Sequence, residues 1–294
     1  MSRQSAFTLL EVIVVIVLVG ILASGAGMLI ARPAEIYQDQ TRRQALVDSA
    51  EMSLRRIADD IRRALPNSLR IIDNGPNSWA LEMVNTVDGA RYRDDIGSGF
   101  TLTSHVLDFS SSDQQFNLLG RFTTLPVTGL PQSYAGYRVV IYNTDPSMIY
   151  NDAALGNDPG IISPAGVTLD IDGGLLEHNL ALSAPFRFAF QSPGQRLFLV
   201  DGPVSYLCDA STGNLTRLSG YSYQQNHSST DQMSDPAFAS AQVGVISSRV
   251  SRCQIDYQAG TTERGALVSL QLGLSNASGE SVALLHQVHV DNLP

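Results

Sequence analysis

The 294-residue sequence contains no lysine, and all 19 basic residues are arginine. That absence removes every mechanism that needs an ε-amine, including a P-loop lysine, a Schiff base and a Ser-Lys dyad. Positive charge is scarce in general: 28 acids against those 19 arginines leave a net charge of −9. Nucleic acid is therefore not expected as a main partner, because phosphate neutralisation needs a basic surface. Two cysteines are too few for a disulfide-dense scaffold or a four-ligand zinc site, but they suffice for one disulfide in an oxidising compartment. No GxSxG elbow and no HExxH pair occurs. Nothing reads as a catalytic constellation, so the expectation is a non-enzymatic protein with no cofactor.

What the chain does have is concentrated at its start. Val12 to Ala31, VIVVIVLVGILASGAGMLIA, is a run of twenty residues without a charge. At ~1.5 Å per residue, a helix of that length spans ~30 Å, the thickness of a bilayer's hydrocarbon core. A secretory signal has an apolar stretch of roughly 7 to 15 residues, so the run is too long for one. Neither cysteine lies near it, which excludes a lipoprotein anchor. Glu11 stands at the head of the run. A carboxylate inside hydrocarbon costs ~3 kcal/mol and usually marks a functional pairing; at the headgroup level the same residue would cost little. Before Phe7 lies a short polar leader, MSRQSA.

The segment Ala6 to Glu11, AFTLLE, followed by the apolar run, resembles the class III signal of type IV pilins and type II secretion pseudopilins. The resemblance implies cleavage by prepilin peptidase between Ala6 and Phe7 and N-methylation of Phe7. It further implies that Glu11 supports assembly into a helical fibre, where a charged amine and a carboxylate of neighbouring subunits would neutralise each other. The family usually has glycine before the cut, and here Ala6 occupies that place. ADDIRRALPNSLRI from Ala58 and LLHQVHVDNLP from Leu284 are similar to MshO-type minor pilins of mannose-sensitive haemagglutinin pilus biogenesis, which themselves resemble J-type minor pseudopilins. Other major and minor pilins, prepilin peptidase and an inner-membrane assembly platform are the partners so implied.

The residues beyond the run give a consistent picture. Leu46, Ala50, Leu54, Ile57, Ile61 and Leu65 recur at three- and four-residue steps, one stripe of an α-helix. Its other face carries acid-first pairs at i,i+4: Asp39 with Arg43, Glu51 with Arg55 and Asp59 with Arg63. Interleaved carboxylates make the Arg42-Arg43, Arg55-Arg56 and Arg62-Arg63 doublets a solvated, internally paired face rather than an RNA or lipid stripe. Pro33 predicts a kink where the apolar half ends, and Pro66 marks the helix end. Gly20 with Ser24, and Ala23 with Gly27, stand four apart; they form either a groove for a second helix or an incidental set of small residues.

From Leu69 onward, short apolar segments alternate with turn residues. WALEMV from Trp79, FTLTSHVLDF from Phe100, YRVVIY from Tyr137, GVTLDI from Gly166 and FRFAFQ from Phe186 predict strands. RLFLVDGPVSYLC, Arg196 to Cys208, predicts a hairpin turning at Asp201-Gly202. CQIDYQ, GALVSLQLGL and ESVALLHQVHV continue the strands. Polar stretches over 110–136, 143–165 and 220–242 predict long loops. The expected fold class is α+β, with one long N-terminal helix packed on a β-rich domain. Its divisions are a leader at 1–6, an anchor and assembly helix at 7–31, an amphipathic continuation at 32–66 and a periplasmic domain at 67–294. From Ile71 onward, ten arginines face 21 acids, so the acidic surface belongs to the globular part.

Cys208 and Cys253 each bound a predicted strand and would form one disulfide in a periplasmic domain; two buried thiols are the alternative. His286 and His289 lie three apart on a strand and point to opposite faces, so joint metal binding is not expected. Asp170, Asp172 and Gly173 start like a calcium loop but lack its later carboxylates, which favours an Asp-Gly turn over a calcium site. Two functions of different class follow. One is a minor pilin anchored in the inner membrane and assembled through its helix into a pilus or pseudopilus; the other is a membrane-tethered periplasmic ligand-binding protein or enzyme.

Overall fold

The computed structural model describes residues 8–95, 105–125, 132–166, 169–172, 177–260 and 265–290; the side chains of 26–36 and 172 are outside that description. Helix α1 spans Leu9–Arg62, 54 residues, or about 80 Å at ~1.5 Å per residue. Thr8 caps its start with an extended backbone and a hydroxyl that accepts from the Glu11 backbone N–H at 3.4 Å. The helix continues through Pro33 as one element and ends at Arg62, short of Pro66. Residues 63–65 already hydrogen-bond to the sheet: Leu65 N–H donates to Val84 O at 2.8 Å, and Thr86 N–H to Arg63 O at 3.0 Å. Among the described residues no helix is long and apolar enough to cross a membrane. The expected anchor over 12–31 runs past Gly25, beyond the described side chains.

Thirteen strands follow among the described residues: β1 (Arg70–Asp73), β2 (Ser78–Arg91), β3 (Asp113–Asn117), β4 (Gln132–Tyr134), β5 (Arg138–Val140), β6 (Leu169–Asp172), β7 (Asn179–Phe186), β8 (Arg196–Asp209), β9 (Asn214–Ser219), β10 (Gln242–Ser247), β11 (Val250–Gln258), β12 (Ala266–Ser275) and β13 (Ser281–Val290). They form three antiparallel sheets. The largest runs β1-β2-β8-β9-β10 with β5 attached to β8; the others are β11-β12-β13 and β3-β7-β6-β4. The α+β architecture, a long helix leading into a β-rich domain, is the one expected.

Several local expectations change. Arg196–Asp209 is one strand, not a hairpin, because β2 is long enough to pair with all of it, from Arg91 opposite Arg196 to Ser78 opposite Asp209. Asp201-Gly202 becomes an irregularity in that ladder, with Gly202 at φ 134°, a conformation that favours glycine. On its other edge, β8 pairs with β5 before this point and with β9 after it. Residues 105–109 and 187–191 are not strands; the latter follow the end of β7 at Phe186. The 143–165 stretch holds helix α2 (Pro146–Leu155), capped by the Asp145 carboxylate and closed by Gly156 in the left-handed region. The 110–136 stretch likewise contains β3 and β4.

The predicted helical stripe is buried throughout. Leu46, Ala50, Leu54, Ile57, Ile61 and Leu65 are each at most 3% exposed. The first five enter a core with Val268, Leu270 and Leu272 of β12, Val288 and Val290 of β13, and Leu81, Met83 and Tyr206 of the large sheet. Each such large side chain contributes about 1.5–3 kcal/mol on burial. A second core lies between the four-stranded sheet and the first half of β8, around Phe116, Leu180, Leu197 and Leu199.

Candidate assembly helix and its anchorage

The two halves of α1 have opposite environments. From Leu9 to Gly25 every residue is exposed, including Leu9 at 78%, Ile16 at 65% and Leu22 at 71%. No described part of the domain covers this stem. A continuous apolar surface of this kind marks a site for lipid or for other protein surfaces. From Leu46 onward, one face of the same helix is sealed into the domain core.

Glu11 sits in the first turn, where a carboxylate favours the positive end of the helix dipole. With Thr8 it forms the Thr-x-x-Glu pattern of a helix start. Gly20, Ala23 and Ser24 are exposed on the stem. A side chain added at Gly20 would meet nothing within 4 Å, while the Ser24 hydroxyl donates to its own helix at Ile21 O, 2.8 Å. No other described element packs on this small-residue set. Ala6, Phe7 and Gly173 lie outside the described residues, as do the surroundings of Gly27.

Charged residues on α1 pair within the helix, though mostly with nearer partners than expected. Glu51 does pair with Arg55, whereas Asp39 takes Arg42 at 3.5 Å and Asp59 takes Arg62 at 3.0 Å. Arg63 is thereby free to reach Asp60, at 2.6 Å. Asp60 is a polar tie between the base of the helix and the domain. Its side chain is 2% exposed and accepts from Arg217 Nε and Tyr206 Oη, each at 2.7 Å. Burial alone would raise its pKa, but the hydrogen bonds from Arg217 and Tyr206, with the arginine's charge, hold it below the usual carboxylate value. Burial would lower the Arg217 pKa, and Asp60 reverses that.

A second tie escaped the sequence pattern. Glu82, fully buried on β2, faces Arg70 of β1 at 2.5 Å and accepts from Tyr221 Oη at 2.8 Å and Thr230 Oγ1 at 3.1 Å. The Arg70 guanidinium also donates to Gln224 O and Gln225 O, both at 2.8 Å, and stacks 3.5 Å from the Tyr150 ring centroid. These bonds fasten the polar 220–242 stretch onto the large sheet. His227 belongs to the same cluster. Burial and then the Arg70 charge push its imidazole down to about 3, so it is neutral near pH 7.

Cys208 at the end of β8 is joined to Cys253 of β11, linking the large sheet to the three-stranded one across a Cα separation of 6.4 Å. His286 is half-buried and His289 exposed, in keeping with opposite faces of β13. Asp170, on β6, hydrogen-bonds the Ser133 hydroxyl of β4.

The family model described as a prokaryotic N-terminal methylation motif matches residues 1–27. The chain carries a type IV pilin-like signal. The matched residues include Ala6, Phe7, Glu11 and the whole of the exposed stem, Leu9–Gly25, so the motif and the uncovered apolar helix coincide. The motif is of the kind that prepilin peptidase substrates carry, and it implies contact with that peptidase and with other pilins. No curated protein and no solved structure matches.

Proposed function

We propose that the protein is a minor pilin-type subunit, held in the bacterial inner membrane by its N-terminal helix with the β domain in the periplasm. After cleavage between Ala6 and Phe7 and N-methylation of Phe7, it enters a pilus or pseudopilus through that helix. The carrying observation is that the motif-matched helix is apolar and exposed on all sides over Leu9–Gly25, while the same helix is locked into the domain from Leu46 onward. Such a stem stays out of water only in a bilayer or among other stems, and a subunit passing from one to the other needs it free of its own domain. The MshO-type likeness of Ala58–Ile71 and Leu284–Pro294 supports a place in a tip or initiation complex with other minor pilins. On this reading the protein is not an enzyme, and assembly requires no cofactor and no calcium. Its partners are pilins, prepilin peptidase and the assembly platform in the inner membrane.

Glu11 gives the direct test of the assembly step. Glu11→Ala leaves an uncompensated amine among apolar helices. The expected result is normal membrane levels with reduced incorporation into sheared fibres. Unchanged incorporation would remove the role assigned to Glu11.

A further inference from the structure

Strand β10 closes one end of the large sheet, and among the described residues it has a strand neighbour on one side only, β9. Its sequence, QVGVIS, carries no charge and no proline. Gln242, Val243, Gly244 and Val245 are all exposed, the two valines at 50% and 62%. Their pairing with β9 is regular until a register shift between Val245 and Ser247. Proteins usually blunt such an edge with charge, proline, a bulge or a cover, because a row of unpaired backbone groups invites another strand. The opposite end of the same sheet is treated in that way. There β1 has only four residues, two of them charged. The 220–242 stretch is fastened to it by the bonds from Arg70 to Gln224 O and Gln225 O and by one from Asn74 Nδ2 to Asp231 O at 3.0 Å.

Val243 and Val245, two apart on a strand, share one face, and their β9 partners are Leu218 and Thr216. Leu218 is covered by Tyr221 and Phe238, but that cover stops short of the two valines. They form an apolar strip at the sheet edge that the side chains of an added strand would cover. At the far end of β10, Ile246 packs against the core that holds α1, so an added strand comes to lie beside the base of the helix. That is where a neighbour with a stem packed on this one would bring its domain. A second copy pairing β10 with β10 does not fit. Two such edges would meet about a two-fold axis through the sheet. Because α1 lies along that sheet, the axis would point the two stems in opposite directions, whereas stems inserted in one bilayer point the same way. The occupant that fits is a strand of a different subunit with the same kind of anchor, uncharged and apolar at alternate positions like the edge it meets.

We propose that β10 is a strand-addition site for a second, different pilin-type subunit, joined through backbone hydrogen bonds along Gln242–Val245; this rests on the pilin-type reading above. The test places a photo-crosslinking benzoylphenylalanine in the full chain in cells, in place of Ile16, Val243 or Val245 in turn, and reads the attachment sites by mass spectrometry. From positions 243 and 245, capture of a different chain carrying the same N-terminal motif is expected. The attachment point should move by two residues along that chain between the two probes, because facing strands advance in step. Any other displacement overturns the proposal, three or four residues being the step of a helix. Capture of a second copy, or of a chain without the motif, also overturns it. Val245→Lys, at an exposed position, should abolish capture from position 243 and leave the melting temperature unchanged; undiminished capture counts against strand addition in the same way. Capture from position 16 with none from 243 or 245 overturns the proposal and leaves the pilin-type reading standing. No capture from any of the three removes that reading and this proposal together.

Discussion

Asp60 Oδ2, on the long helix, accepts from Arg217 Nε, on β9, across 2.7 Å in an environment nearly closed to water. The same oxygen accepts a hydrogen bond from the Tyr206 hydroxyl, while Oδ1 accepts from Arg63 Nη2. Three polar contacts at the base of the helix therefore converge on one carboxylate, and the apolar stripe from Leu46 to Ile61 packs alongside it.

Asp60→Asn keeps the shape but leaves Arg217 without a countercharge. Breaking a buried pair from one side costs about 3–5 kcal/mol, so the domain should melt well below wild type while a double change, Asp60→Asn with Arg217→Met, recovers part of the loss. Because the folded pKa of Asp60 lies below the unfolded 3.8, its contribution is fully present above that pH. It is lost as pH falls through the lowered folded value. Denaturant midpoints across the acid range check both statements.

His227 predicts a pH slope of its own. The folded imidazole titrates near 3 against 6.5 unfolded, so between those values the unfolded state binds the extra proton and stability falls with acidification, by about 1.4 kcal/mol per pH unit at most. His227→Gln should flatten the curve between pH 6 and pH 4 relative to wild type. Parallel curves would mean that the imidazole is not held neutral.

Apolar residues at the two ends of α1 should respond oppositely to truncation. Leu54→Ala empties a site that is 3% exposed and should cost about 2–5 kcal/mol of domain stability. Ile16→Ala, at 65% exposure, should leave the domain's melting temperature unchanged while weakening fibre incorporation. Equal melting of the two variants would contradict the division of the helix into a free stem and an anchored base.

The helix and its buried stripe were legible because a 3.6-residue period appears in the sequence itself, and so were β11, β12 and β13. The Asp201-Gly202 signal misled because turn chemistry is local, whereas the choice between hairpin and continuous strand was made by β2, more than a hundred residues earlier in the chain. Helix α2 left a readable trace in Asp145-Pro146, an N-cap followed by proline, that the polar surroundings masked. The Glu82 cluster could not be read at all, since Tyr221 and Thr230 approach it from 139 and 148 residues away.

The central claim is that this chain is a processed pilin-type subunit, and the mass of its mature N-terminal peptide tests it most directly. Mass spectrometry of the protein from membranes should show a chain beginning at N-methylated Phe7. An intact Met1, or a start near Ala26 or Pro33, would contradict the account.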